Sequence, residues 1–462
     1  MQTAYDEVPY GNVPFVQALP RVHALVATLH GLSPADPRTA RVLELGCGAG
    51  AHLAGIAAAH PEVHAVGIDL AESAIDAARA IAAAAGLENV RFDVGDVLEL
   101  QGGQLGEFDY VVVHGLYAWV PEPVREAVLA ACRAHLAPQG IAYLSYTAHP
   151  GGHQRWMLRE MAQWHARGVQ DPLERAARAR GLFALLDRLG EAGGPSFFTG
   201  VVAEDVHTLA LSTEEVLVHD LLGPNYAPVW FADFAAAAAR HGLAYVGDAL
   251  PESSRKPPWS GAVEAFVADG AGDDRIAREQ YLDLLVLRRF RHSLLCRDEL
   301  APSADVDPAV MPRVLVAPDG DTRELAEPLR AALDGAGPLH PLAFAELRER
   351  TGLPEAELAA QLVAAFDAGR VEFHVVPPPA AAAPGERPRA SALARSQAQP
   401  GAMVATLLNQ PVKLTDEPTA DLLRLLDGTR DRDAIRAAFP GLDAPSLEAV
   451  LGKFAELGLL HE

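Results

Sequence analysis

The sequence predicts an α/β fold, with a Rossmann-like parallel sheet near the N-terminus, a helical insertion, and winged-helix-like modules at the C-terminus. Three observations predict it. Strand and helix signals alternate from residue 41 to residue 147, which is typical of a parallel sheet flanked by helices. A glycine-rich turn at residues 46–50 separates the first strand from the first helix. Residues 153–220 and the chain from 339 onwards are instead dominated by helix formers.

The runs that we interpret as strands are short and apolar, and they alternate with longer amphipathic runs. Predicted strands cover residues 41–45, 63–69, 89–94, 108–113 and 140–146, and predicted helices cover 51–60, 71–85 and 122–136. Helix and strand signals then alternate again, at 230–241, 243–246, 279–288 and 290–296. We expect these later strands to complete the same sheet, so that residues 153–222 form an insertion.

Changes in composition divide the chain into six segments. The predicted segments are a core at 1–150, a helical insertion at 151–222 that caps the core or forms a dimer, a segment at 223–300 that completes the sheet, a winged-helix-like module at 301–378, a flexible linker at 379–399 and a second winged-helix-like module at 400–462. The linker prediction rests on its proline and alanine content. The helices of the C-terminal modules are acidic and apolar, which favours protein contact or scaffolding over DNA binding.

Composition limits the class of protein. The chain has 462 residues and a net charge of -23, which disfavours binding to a nucleic-acid backbone. Its three cysteines are far apart and lack metal-type spacing, so we expect reduced thiols and no metal site. No apolar run is long enough for a membrane span, and the acidic N-terminus lacks signal-peptide features. These features predict a cytoplasmic protein.

The most informative motif is the turn after the first predicted strand. It reads G-x-G-x-G, with Glu44 two residues before the first glycine. Glycine permits a sharp turn and a close approach of the backbone to a ligand. Dinucleotide-binding folds use a related G-x-G-x-x-G, but a dehydrogenase would need its third glycine one residue later and a hydride-transfer partner. The spacing here is the form found in class I methyltransferases that use S-adenosylmethionine (SAM), in which Glu44 faces the cationic amino group of the cofactor.

Acidic residues after the next two strands support a SAM site. Asp69 ends the second predicted strand, where it can accept hydrogen bonds from both ribose hydroxyls, and Asp96 follows the third, near the adenine amino group. The fourth strand delivers His114 to the carboxyl edge of the sheet, where ligands of open α/β sheets bind. The predicted cofactor-binding residues are Glu44, Gly46, Cys47, Gly48, Gly50, Asp69, Leu70, Asp96, Val97 and His114.

Methyl transfer from a sulfonium requires alignment of the nucleophile and exclusion of water, and an amine must arrive neutral. Aromatic side chains that desolvate an amine serve this purpose, and three aromatic-rich segments converge on the predicted edge. The predicted catalytic residues are Tyr5, Tyr10, Tyr117, Trp119 and Tyr146. We interpret His149 and His153 as loop residues that make hydrogen bonds, because no third metal ligand lies nearby in the sequence.

Taken together, these motifs resemble the bacterial class I methyltransferases that carry a methyltransferase regulatory domain, a group that includes protein-lysine methyltransferases acting on outer-membrane proteins. The similar segments are residues 5–10, 44–50, 114–121, 145–151, 288–296 and 425–431. The resemblance implies a SAM domain, a helical middle region often used for dimerisation, and a winged-helix-like C-terminal part. It also implies that Tyr5, Tyr10, Tyr117 and Tyr146 lie near the methyl group.

The sequence therefore predicts SAM-dependent methyl transfer to a side-chain amine, most simply lysine, of a protein or peptide substrate. The large non-catalytic part of the chain favours a macromolecular substrate, and a homodimer is compatible with the helical insertion. Two alternatives stay open at this stage. One is a small-molecule O- or N-methyltransferase, and the other is a regulatory protein that binds SAM with little catalysis.

Overall fold

Seven of the described strands form one sheet, in the order β3-β2-β1-β4-β5-β7-β6. The structure is a computed structural model that describes residues 7–8, 10–11, 13–193, 202–250, 252, 260–439 and 441–461. The strands of this sheet are β1 (Arg41–Leu45), β2 (His64–Asp69), β3 (Val90–Val94), β4 (Phe108–Val113), β5 (Leu136–Thr147), β6 (Leu243–Asp248) and β7 (Phe290–Arg297). The first five are parallel, whereas β7 runs antiparallel to both β5 and β6.

Helices connect these strands and cover both faces of the sheet. Up to β7 they are α1 (Pro20–Leu29), α2 (Ala51–Ala59), α3 (Glu72–Ala85), α4 (Glu122–His135), α5 (Gly152–His165), α6 (Pro172–Glu191), α7 (Ala203–Leu211), α8 (Phe231–Arg240), α9 (Gly261–Ala271) and α10 (Arg275–Val286). Apolar side chains of α1, α2 and α3 pack on one face, and those of α4 and α8 pack on the other. Burial on both faces explains why the strands are nearly continuous apolar runs.

The predicted α/β fold with a helical insertion is confirmed, with two local differences. β5 is longer than predicted, because α4 passes directly into the strand at Leu136, which pairs with Phe108, and no turn intervenes. The helix α9 was not predicted, since its glycines weaken the helical pattern. β6 and β7 do join the sheet of β1–β5. The exact domain limits stay a prediction.

The insertion between β5 and β6 has a small core of its own. Helices α5, α6 and α7 and the short helical segments Glu214–Val216 and Leu217–Leu221 surround it. Leu158, Phe183 and Leu209 are fully buried there. This core is separate from the two clusters that flank the sheet. Arg289, next to the first residue of β7, donates to Asp205 of α7 at 2.9 Å, so the insertion contacts the carboxyl edge, where β5 ends and β7 begins.

Two smaller α/β units follow β7. In the first, β8 (Leu315–Pro318), β9 (Leu342–Ala343) and β10 (Val371–His374) form a sheet beside α11 (Glu327–Ala332), α12 (Phe344–Thr351) and α13 (Glu355–Asp367). In the second, which we call the C-terminal module, α14 (Ala392–Gln397) precedes the hairpin of β11 (Met403–Ala405) and β12 (Pro411–Lys413), and α15 (Glu417–Leu425), α16 (Arg432–Ala438) and α17 (Ala444–Glu456) follow. Helices joined to a small sheet confirm the predicted winged-helix-like architecture.

The segment predicted as a flexible linker is instead packed. Ala380 and Ala394 are fully buried, Ala390 and Leu393 are 1% exposed, and the α14 helix lies within the segment. The alanine content that indicated a linker has another physical meaning here, because small side chains let the backbone lie close to neighbouring helices. No described helix is long and apolar enough to cross a membrane.

Candidate functional site

The turn after β1 has a backbone that favours glycine at three positions. Gly46, Gly48 and Gly50 have φ of 76°, 51° and 73°, in the left-handed region that side chains disfavour. The N–H groups of Gly46 and Cys47 donate to Ile68 O at 2.8 and 3.1 Å, which ties the turn to the end of β2. The result is a half-buried run of backbone at the carboxyl edge that leads straight into α2.

Glu44 lies just below this turn with a buried, incomplete hydrogen-bond shell. It is 4% exposed, and its Oε2 is buried without a hydrogen-bond partner in the described part of the chain. Burial, and secondarily the charge of Asp69, raises the pKa of Glu44 well above 4.5. A buried acceptor of this kind needs a donor. The α-ammonium group of SAM supplies one, so the residues present fit this cofactor.

Asp69 anchors the turn from β2. Its Oδ2 accepts from Gly48 N–H at 2.8 Å, and its Oδ1 accepts from Ala71 N–H at 2.9 Å. Each carboxylate oxygen retains a second lone pair, so Asp69 can still accept from ribose hydroxyls. After β3, Asp96 Oδ1 accepts from Leu98 N–H at 2.9 Å. This bond does not use Asp96 Oδ2. The acids therefore shape the backbone and still offer acceptors.

The remaining predicted cofactor residues surround the turn in different ways. Leu70 is 44% exposed and Val97 is half-buried, so both offer apolar surface at the edge. The Cys47 side chain is buried, and burial raises the pKa of its thiol well above the ordinary value, so only its backbone faces the turn. The His114 ring stacks on Phe15, with centroids 3.7 Å apart.

His114 belongs to a short polar chain that joins three strands. The Tyr143 hydroxyl lies 2.9 Å from His114 Nδ1 and 2.9 Å from His292 Nδ1, and thus bridges the two rings. Burial lowers the pKa of His114 to about 3 and also lowers that of His292. Both imidazoles are therefore neutral near pH 7, and the bridge fixes their orientation without adding charge.

The predicted catalytic aromatic residues are placed in three environments. Tyr5 lies outside the described residues. Tyr117 and Tyr146 are 4% and 1% exposed, and the Tyr146 hydroxyl hydrogen-bonds to Ser293 Oγ at 2.9 Å, within the core. Burial raises the pKa of Tyr117 to about 12. Neither side chain lines a described cavity, so a direct role for the two stays a prediction.

Tyr10 and Trp119 are nearer to open space. Tyr10 is 39% exposed, and its hydroxyl donates to Asp220 Oδ2 at 3.1 Å. The N-terminal arm, by which we mean the described residues before α1, therefore contacts the helical insertion at this point. Trp119 is half-buried and lines two cavities of about 260 and 250 Å³ between the insertion and the carboxyl edge. Of the predicted aromatic residues that the structure describes, Trp119 is the one that lines these cavities.

We refer to the cavity of about 250 Å³ as the edge cavity. Its walls combine aromatic, acidic and basic side chains with the backbone at the end of β5. The lining residues are Trp119, Thr147, Gly151, Gly152, Arg155, Glu204, Asp205, Thr208, Tyr226, Arg289 and Phe290. Arg289 donates to both oxygens of Asp205 at 2.9 Å, which holds that carboxylate at the wall. Glu204 extends into solvent, with a side chain that is 86% exposed.

Two functional candidates were not predicted from the sequence: Tyr226, which lines the edge cavity, and Arg159, which packs behind Tyr226. The ring centroid of Tyr226 lies 5.3 Å from that of Trp119, and its hydroxyl donates to Gly152 O at 3.1 Å. Arg159 is buried, stacks 4.8 Å from the Tyr226 centroid, and donates to Gly223 O at 2.6 Å. No local motif marks either residue, because each acquires its setting from elements distant in sequence.

Below the edge, a buried ionic cluster joins β6, β7 and α10. Arg291 has no exposed surface and donates to Asp283 at 2.8 Å, to Asp248 at 3.1 Å and to Glu279 at 3.0 Å. Burial of charges is tolerated only when the partners surround one another in this way. The cluster fixes the antiparallel strand next to β5 and so the floor of the edge cavity.

The His149 and His153 rings stack on each other, with centroids 4.1 Å apart. Among the described residues, no group of three or more His, Cys, Asp or Glu side chains could hold a metal ion.

Comparison with known protein families finds three matches along the chain. Residues 42–140 match the family described as "Methyltransferase domain". Residues 213–297 match "Predicted methyltransferase regulatory domain", and residues 386–441 match "PKMT, C-terminal winged helix domain". The first match contains the glycine turn and both acids after β2 and β3.

Two relatives come from Rickettsia prowazekii. The uncharacterised protein RP789 is 33% identical over 307 residues, which cover 66% of this chain and 54% of that protein. The uncharacterised protein RP028 is 29% identical over 238 residues, which cover 51% of this chain and 94% of that protein. The chain thus spans only about half of the length of RP789.

The structure of PKMT2 from Rickettsia typhi in complex with AdoHcy has the same fold. It superimposes with a TM-score of 0.82 over 98% of this chain and 100% of that protein, at 22% identity. A methyltransferase domain of this class takes its methyl group from SAM, so SAM is the cofactor of this chain. The glycine turn and the buried Glu44 thus lie in a segment that matches a methyltransferase domain, and the later segments match a methyltransferase regulatory domain and a PKMT winged helix domain.

Proposed function

We propose that this chain transfers a methyl group from SAM to the side-chain amine of lysine in a protein or peptide substrate. The observation that carries the proposal is the edge cavity, in which Trp119 and Tyr226 form aromatic walls and Glu204 and Asp205 add carboxylates. Aromatic faces and carboxylates both attract an ammonium group. The match to the PKMT winged helix domain supports a protein substrate, and so does the name of the Rickettsia typhi protein.

The edge cavity offers lysine two successive environments. At its mouth, the exposed Glu204 lies 3.6 Å from the Arg289 guanidinium and would exchange that partner for the charged ammonium group of lysine. Deeper, the half-buried Trp119 and the buried Tyr226 exclude water. Desolvation lowers the pKa of an amine and so favours the neutral nucleophile that methyl transfer needs. The cavity thus captures a cation and favours loss of its proton before reaction.

Different residues at the carboxyl edge would bind the cofactor, exclude water and orient the amine. Glu44, Asp69 and Asp96 would hold the amino, ribose and adenine groups of SAM, and bound SAM supplies an electrophilic methyl group. The neutral His114 and Phe15 would form the wall between cofactor and arm. Trp119 would align the amine, since it lies on the segment that follows His114 from β4.

Labelled SAM and a defined lysine polymer test this proposal. We expect purified protein to label poly-L-lysine and lysine-containing bacterial proteins, with the methyl group on lysine side chains in peptide maps. Acetylation of the lysines should abolish labelling, because an amide nitrogen is a poor nucleophile. The variant Trp119→Ala should label less at limiting substrate, whereas Trp119→Phe should retain more activity. Labelling of small acceptors alone, with no labelled lysine, would contradict the proposal.

We also propose that the chain forms a homodimer through the helical insertion and works in the cytoplasm. The insertion presents Trp164 and Leu211 to solvent, at 65% and 72% exposure, on two of its helices. Leu173, Leu185 and Leu189 of the same insertion are also 47–48% exposed, and several large apolar side chains exposed on one unit favour a contact surface. Light scattering should give twice the chain mass for the native protein, and Leu211→Glu should shift it to a monomer. A native monomer would refute the dimer.

A further inference from the structure

The C-terminal module packs directly on α2 and α3, the two helices that follow the glycine-rich turn at residues 46–50. We refer to this turn as the cofactor turn. Leu393 of α14 lies in one apolar cluster with Ala54 of α2 and Ala85 of α3. Asn409, in the turn between β11 and β12, reaches the first turn of α2. This residue is 1% exposed and has φ of 59°, a left-handed conformation that asparagine tolerates better than most residues.

Asn409 makes its contacts at the start of the helix that begins right after Gly50. Its Nδ2 donates to His52 Nδ1 at 2.9 Å and lies 3.4 Å from His52 O. A Cβ at Gly55, one turn further along α2, would overlap Asn409 Oδ1. The side chain therefore fills a space that exists only because residue 55 is glycine.

The His52 ring also hydrogen-bonds to the N-terminal arm. Its Nε2–H donates to Ala18 O at 3.2 Å, so Nδ1 is the acceptor on the ring. Phe15 N–H donates to the same Nδ1 at 3.4 Å. Burial lowers the pKa of His52 to about 4, which keeps the ring neutral and this acceptor in place near pH 7.

Phe15 completes the connection to the cofactor edge. Its ring stacks on His114, whose Nδ1 is held by the Tyr143 hydroxyl at 2.9 Å. The chain of contacts therefore runs from Asn409 through His52 and Phe15 to His114. It starts in the C-terminal module and ends at the edge where the glycine turn, Glu44 and Asp69 meet.

We propose that Asn409 is a positioning residue through which the C-terminal module sets the affinity for SAM. It fixes the first turn of α2, which continues the cofactor turn, and it fixes the arm that covers His114. On this basis the C-terminal module acts on the cofactor site. The inference rests on SAM binding and is independent of the acceptor amine.

Calorimetric titration with SAM tests the inference on the full chain. The variant Asn409→Gly removes the amide and keeps the left-handed turn, and we expect its SAM Kd to rise by roughly 2- to 12-fold, the ratio that corresponds to one net hydrogen bond. Asn409→Asp keeps the shape but replaces the donor by an acceptor, so it should weaken SAM binding to the same degree. Affinity unchanged in both folded variants would overturn the proposal.

A matched control separates positioning from general stability. Asn89 donates to Ala57 O and His60 O at 3.1 Å each, at the other end of α2. Asn89→Ala should lower Tm without changing the SAM Kd measured well below Tm. If it weakens SAM as much as Asn409→Gly does at an equal loss of Tm, then Asn409 has no special link to the cofactor.

A double-mutant cycle checks the steric side of the same contact. Gly55→Ala should weaken SAM binding in the native background, since the new methyl group collides with Asn409 and displaces the first turn of α2. In the Asn409→Gly background the same change should have little effect, because the space is free. Additive effects of the two changes would show that the residues are not coupled.

Discussion

Replacing Glu44 by glutamine changes one oxygen to an NH2 group at the base of the cofactor turn. Glu44 Oε2 is buried and has no hydrogen-bond partner among the residues that the structure describes, and burial raises the pKa of the carboxyl group well above 4.5. Burial of the Glu44 carboxylate without a donor therefore destabilises the native protein, and binding of the SAM ammonium group offsets this desolvation energy. Glu44→Gln should therefore have opposite effects on cofactor affinity and on the stability of the protein without cofactor.

The expected loss of affinity follows from the type of hydrogen bond. A bond to a charged group contributes about 1.5–3 kcal/mol, roughly twice the contribution of a neutral one. Glutamine keeps an acceptor oxygen but loses the charge, so we expect SAM binding to weaken by roughly 1–2 kcal/mol. That difference corresponds to an increase in Kd of about 5- to 30-fold.

The effect on stability has the opposite sign and depends on pH. A carboxyl group whose pKa is higher in the folded than in the unfolded state binds more protons when folded, so the free energy of unfolding falls as pH rises above 4.5. Glutamine has no such titration. Without SAM, the Tm of Glu44→Gln relative to the native protein should therefore increase from about pH 4.5 upward, by roughly 1–2 °C for each kcal/mol gained in a chain of this length.

Calorimetry with SAM at pH 7.5 and thermal melts from pH 4.5 to 8.5 without SAM measure both effects. Glu88→Gln makes the same chemical change at an exposed site and should alter neither quantity. A native SAM affinity in Glu44→Gln would show that the carboxylate does not receive the ammonium group. A Tm difference that stays constant or shrinks with rising pH would refute the desolvation argument.

Three further predictions concern other parts of the site. Asp69→Ala removes the acceptor of Gly48 N–H and the predicted ribose acceptor, and titration calorimetry should show SAM binding weaker by about 1.5–3 kcal/mol; unchanged affinity would mean that the ribose lies elsewhere. Arg291→Leu leaves Asp283 without its buried counter-charge, so thermal melts should show destabilisation of about 3–5 kcal/mol, and a native Tm would contradict it. Trp119→Ala should raise the KM for a lysine peptide by roughly 2- to 30-fold and leave the SAM Kd unchanged. This range corresponds to the loss of about 0.5–2 kcal/mol of cation–π attraction. A raised SAM Kd with an unchanged KM for the peptide would place Trp119 at the cofactor.

The sequence by itself determined the class of fold and the cofactor turn. The turn could be predicted because its chemistry is local, since Glu44 near the end of β1 and the three glycines after that strand lie within seven residues. Parallel strands bring their carboxyl ends to one edge, so an acid after β2 must lie near that turn. The strand and helix order around these residues follows from apolar periodicity alone.

Tertiary structure alone decided which aromatic side chains face the edge cavity. Successive residues of a strand point to opposite faces, and sequence does not say which face is open, so Tyr146 proved to face Ser293 in the core. Tyr226 joins Trp119 only because the insertion folds back over the edge. Asn409 meets His52 across 357 positions, a contact that no local pattern encodes. Side-chain partners so far apart are set by the packing of whole elements, which local propensity does not specify.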